Sequence, residues 1–190
     1  MTDSAPYDHR NCTSLFGYSA AVHVRSGGSC ELCGAGDSSD FDWWRQLTVE
    51  HLIGEGQGGY LRSIKVALSE RFPELDGVAA AELAARLDAI NTVSACQFCN
   101  ATTSRTRTDV SMTELISGAT SREAAEAAVR TACEAIVASK RADVKWKIDS
   151  VRAAWIETIA PSHKRSGDGR LHQEISRSGV RRSPRKPFRK

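Results

Sequence analysis

The spacing of apolar residues changes period several times along this chain. In FDWWRQLTVEHLI, β-branched and aromatic residues predict a strand, with Leu47, Val49 and His51 on one face and Thr48, Glu50 and Leu52 on the other. The glycine-rich GEGQGG, Gly54 to Gly59, reads as the turn that follows. The period then lengthens. Leu61, Ile64 and Leu68 recur at helical spacing until Phe72 and Pro73 stop them, and Leu83, Leu87 and Ile90 mark a second helix. Asn91, Thr92 and Val93 return as a second strand, and a further helix opens near Cys96.

The same pattern extends toward both ends. SMTE at Ser111 and TSRE at Thr120 match capping boxes, the second opening a long alanine-rich helix. Ala125, Val129, Ala132, Ile136 and Val137 form its inner face; Val144, Ile148, Val151, Trp155 and Ile159 form that of the next helix, and Pro161 stops the pair. Upstream, SLFGYSAAVHVRSGGSC has apolar content for either a helix or a strand and breaks at Gly27 and Gly28. Trp43 and Trp44 are expected to pack in the core or against the cysteine knuckle rather than stack on bases.

Composition adds a bound and an asymmetry. With 190 residues, 41% of them hydrophobic, the chain can bury a core, and no stretch approaches 18 consecutive apolar residues. Its first residues, MTDSAPYDHRNCTS, contain no apolar segment of signal-peptide length, so a soluble, cytoplasmic protein is expected. The net charge of +3 is unevenly shared. From Ser162 to Lys190 ten Lys or Arg stand against Asp168 and Glu174, a tail of +8 on a body of −5. Such a basic end points to a polyanionic partner, and it lacks the apolar surface to fold alone.

Cysteine spacing brings in chemistry. Cys30 and Cys33 form one C-x-x-C pair, Cys96 and Cys99 another, and four thiolates close a tetrahedral zinc shell. In a reducing compartment such pairs favour metal over disulfide. A closed shell leaves no position for water, so this zinc is structural and any catalysis lies elsewhere. Cys12 and Cys133 read as ordinary small apolar residues. Between the pairs stands His51, and imidazole is the side-chain type suited to act as a general base near neutral pH. A carboxylate such as Glu50 and an amide carbonyl such as Asn100 are hard oxygen ligands for a divalent cation.

Taken in order, these residues resemble the HNH endonucleases of the four-cysteine subtype. Cys30 and Cys33, a strand ending in Glu50 and His51, Gly58 and Gly59, Asn91, Cys96 and Cys99, and Asn100 carry the resemblance, which covers roughly residues 20 to 106. It implies an α+β fold with a ββα-metal (His-Me finger) core, a structural zinc at its base and a short helix over Ser19 to Arg25 leading into the first cysteine pair. It also implies that His51 is the base, that Glu50 and Asn100 bind the catalytic metal, and that Asn91 fixes the loop and orients the histidine. Glu50 stands where aspartate is usual and Asn100 where histidine is usual; both choices favour Mg²⁺ or Mn²⁺ over a softer metal. Residues 60–90 depart from the family as a helical insertion.

The expected organisation is therefore an irregular segment at 1–18, a nuclease domain at 19–110 containing that insertion, a helical extension at 111–161 and a basic disordered tail at 162–190. The implied activity is hydrolysis of DNA phosphodiesters to 5′ phosphate and 3′ hydroxyl ends, with the tail gripping DNA. A non-catalytic zinc module that binds nucleic acid, and an RNA-directed nuclease or toxin, are the alternatives.

Overall fold

The structure, a computed structural model, describes residues 18–37, 39–103 and 109–160. The expectations for residues 1–17, Cys12 and the basic tail lie outside them. The chain divides into two compact units, 1–146 and 147–190. The first is an α+β assembly in the order α1 (Tyr18–Arg25), α2 (Phe41–Trp44), β1 (Leu47–His51), α3 (Leu61–Arg71), α4 (Gly77–Ile90), β2 (Thr92–Cys96), α5 (Gln97–Thr103) and α6 (Met112–Ser117), followed by the start of α7 (Arg122–Thr158).

The strands form one antiparallel pair, registered from Leu47 opposite Cys96 to His51 opposite Thr92. Every residue of β2 is buried, as expected of a strand covered on both faces. The strand predicted from Phe41 begins only at Leu47. Ahead of it, Asp40 accepts a hydrogen bond from the Trp43 amide at 3.0 Å and caps the short helix α2. The indole of Trp43 then lies over Gly36, where a Cβ would come within 1.8 Å of its Nε1. Trp44 meets His23 edge to face, with ring centroids 5.8 Å apart. Both tryptophans are thus packing residues beside the first cysteine pair.

The two helices predicted between the strands are present, α3 stopped at Phe72 and α4 capped by Asp76, whose carboxylate accepts from Ala79 N at 2.8 Å. They are no appendage, because Ile64, Leu68, Leu83 and Leu87 are among the fully buried side chains of the core, with Ile53, Met112, Ile116, Val129 and Val144. Asn91, expected as the first residue of the second strand, is instead the C-cap of α4. Ser111 caps α6 as predicted.

The C-terminal pair of helices is corrected to one. The sequence ASKRAD between Val137 and Val144 holds no glycine or proline, and its residues favour helix, so nothing interrupts α7. Its cap is Ser121, which accepts from Ala124 N at 3.1 Å, rather than Thr120. The buried stripe runs Ala125, Val129, Cys133, Ile136, Lys140, Val144; Ala132 and Val137 are only half-buried. In the second unit the described residues include Val151, Trp155, Ile156 and Ile159, all exposed. Among the described residues no helix is long and apolar enough to cross a membrane.

Candidate metal centre and histidine site

The two cysteine pairs converge. The Sγ atoms of Cys30, Cys33, Cys96 and Cys99 all lie within 4.8 Å of one another, close to the spacing of about 3.8 Å that Zn–S bonds of about 2.3 Å require in a tetrahedron. Local backbone explains the first pair: Cys30 N donates to Ala35 O and Gly34 N to Cys30 O, each at 2.8 Å, with Gly34 at a φ of 74° that favours glycine. The second pair sits where β2 passes into α5. Glu31 locks the two together, its N–H donating to Ser94 O at 2.8 Å and its carboxylate accepting from Ser94 N at 2.7 Å.

The protons of this cluster are in conflict. Hydrogen bonding from Cys96 holds the Cys30 thiol down to about 4, while Cys96 is pushed up by that same bond and by burial, and Cys99 by burial and the Cys30 charge. A cation among the four sulfurs would relieve these three thiols at once, so the donor set fits a structural zinc. No disulfide joins these thiols.

The strand end places the other residues. Glu50 is 5% exposed, and one carboxylate oxygen, Oε1, accepts from Lys140 Nζ of α7. Lys140, 4% exposed, also donates to the Thr103 carbonyl at 3.1 Å. Glu50 Oε2 is buried without a hydrogen-bond partner among the described residues. Asn100 Nδ2 donates to Thr48 Oγ1 at 2.8 Å, and Thr48 shares its strand face with Glu50. Glu50, Asn100, Thr103 and Lys140 thus gather on the side of α5 and α7.

His51 turns to the other side. Its Nε2 lies 3.7 Å from Asp88 Oδ1 of α4, and its ring lies against Tyr60 with centroids 4.3 Å apart. The alternation of the strand therefore holds to its last residue, and the adjacent acid and imidazole contact different elements. Asn91 laces the loop after His51: it accepts from Ile53 N at 2.8 Å and donates to Ile53 O at 3.0 Å and Gly59 O at 2.8 Å. A Cβ at Gly59 would come within 1.8 Å of Ile53 O, so only glycine fits.

Cys133, expected as a small apolar residue, is buried with its thiol pushed up to about 12 by burial and by Glu134. Lys140 and Asp88 had no place in the sequence reading. Each carried a signal there: Lys140 continues the stripe Cys133, Ile136, Val144, and Asp88 stands one turn after the buried Ala84. A charge on an apolar helix face asks for a partner.

No family model, curated protein or solved structure matches this chain.

Proposed function

We propose that this chain is an HNH-type endonuclease that hydrolyses DNA phosphodiester bonds, built on a ββα-metal core with zinc in the four-cysteine cluster. The observation that supports this most is the order of parts at the strand end: Glu50 and His51 close β1, a glycine loop pinned by Asn91 follows, and the β2–α5 junction beyond carries both the cysteine pair and Asn100. His51 takes a proton from water, which attacks phosphorus; the bond from phosphorus to the 3′ oxygen breaks and that oxygen takes a proton from solvent water, leaving 5′ phosphate and 3′ hydroxyl ends, and the imidazolium returns its proton to solvent. Neighbouring Cα atoms are about 3.8 Å apart, so one phosphate at the end of β1 is within reach of side chains from both faces.

Glu50 through Oε2, which lacks a partner among the described residues, and Asn100 through its carbonyl oxygen would hold Mg²⁺ or Mn²⁺. When bound, such an ion neutralises charge on the phosphate and the departing oxygen. Asn91 holds the loop beside the histidine. The basic tail supplies charge for capturing the DNA backbone, without sequence specificity.

One observation favours a second reading, a zinc-stapled module that binds nucleic acid without cutting it. Lys140 already neutralises Glu50, which opposes a second cation on the same carboxylate. His51→Ala separates the two. On the nuclease reading cleavage collapses while zinc content and DNA retention survive; wild-type protein that retains DNA and never cuts it belongs to the second. Matched RNA and DNA substrates side by side decide whether RNA is the target.

A further inference from the structure

We propose that Asp88 of α4 is a positioning residue for His51, fixing which ring nitrogen carries the proton. The inference rests on reading His51 as the general base. Asp88 is 5% exposed, and its Oδ1 has no hydrogen-bond partner among the described residues. A carboxylate oxygen removed from water needs a donor, and the His51 imidazole stands beside it, with Nε2 at 3.7 Å. That separation is one small side-chain rotation beyond a hydrogen bond, and bonds of this kind tighten when substrate is bound.

The ring is also held from a second direction. Tyr60 stands at the N-cap of α3, with its ring tilted 35° to the imidazole and the centroids 4.3 Å apart. Contact with the Tyr60 ring limits how far the imidazole can turn. The two ends of the 60–90 segment therefore bracket one side chain, Tyr60 where it begins and Asp88 in the last turn of α4.

The chemical consequence follows from the imidazole itself. A neutral ring carries one proton, and an Nε2–H directed at a carboxylate puts the basic lone pair on Nδ1. Water then meets a base whose accepting atom is already chosen, and the imidazolium formed on proton transfer faces an anion. This assigns the helical pair α3 and α4 a part in the chemistry as well as in the core.

The experiment uses the full-length protein with Asp88→Asn, Asp88→Glu and His51→Ala. Long-range ¹H–¹⁵N correlation reads the tautomer, the His51 signals being those lost in His51→Ala. The expected result is an Nε2–H tautomer in wild type, a mixture in Asp88→Asn, and kcat for a DNA duplex lowered about 10- to 100-fold in Asp88→Asn with KM unchanged, partly recovered by Asp88→Glu. An Nδ1–H tautomer in wild type overturns the proposal, even if Asp88→Asn fails to fold. A folded Asp88→Asn with wild-type tautomer and kcat also overturns it. Failure of the underlying reading looks different: cleavage then persists in His51→Ala, whatever the tautomer.

Discussion

Asn91 shows how much one side chain can decide. It exchanges two hydrogen bonds with Ile53 and donates a third to Gly59, all buried, so the loop after His51 has one conformation available. Asn91→Ala strands one amide and two carbonyls, at about 1 to 3 kcal/mol per unsatisfied group. A loss of about 3 to 9 kcal/mol in urea unfolding is expected; a loss under about 1 would mean that water enters and satisfies the loop. The sequence singled out Asn91, His51 and the four cysteines because their chemistry is carried by residue type and spacing. Asp88 and Lys140 show in the sequence only as charges on apolar helix faces, and the role of each depends on what it faces, which only packing decides.

The element that sequence periodicity misread most is α7. Its apolar stripe continues through Lys140, and the partner that makes this tolerable, Glu50, lies ninety positions earlier. A buried pair of this kind contributes little net stability, but removing one member leaves a charge without compensation, costing about 3 to 5 kcal/mol. Lys140→Met is therefore expected to destabilise by that amount in denaturant titration, and the double variant Lys140→Met with Glu50→Leu to recover most of it. Equal destabilisation in both would mean that Lys140 acts through its packing alone. The strand β1 was legible only in its second half, since Asp40 capping overrides the β preference of Phe41 and Trp43. By contrast α3, α4 and α6 were read correctly, as their stops and caps are written locally.

At the scale of the molecule, the four-cysteine cluster joins parts of the chain that are distant in sequence. Structural zinc supplies an apparent 10 to 16 kcal/mol, comparable with the 5 to 15 kcal/mol that holds an ordinary domain folded. Chelation is thus expected to abolish cooperative thermal unfolding, followed by circular dichroism, and re-adding zinc to restore it. Acid releases the metal in the same direction, because protons compete for thiolates. An unchanged melting transition after verified metal removal would show that the core stands without the cluster. The α+β architecture, the four-cysteine cluster and the placing of Glu50 and His51 on opposite faces of the strand were legible in the sequence; the partners those two side chains meet, Lys140 and Asp88, were not, because only packing brings them together. Whether Glu50 and His51 still serve one phosphate is the central claim. Conversion of supercoiled plasmid by wild type and His51→Ala, with Mg²⁺ or Mn²⁺ and with EDTA, tests it most directly. The account predicts nicking or linearisation that needs the divalent ion and falls at least about 100-fold in His51→Ala; equal cleavage by both proteins would contradict it.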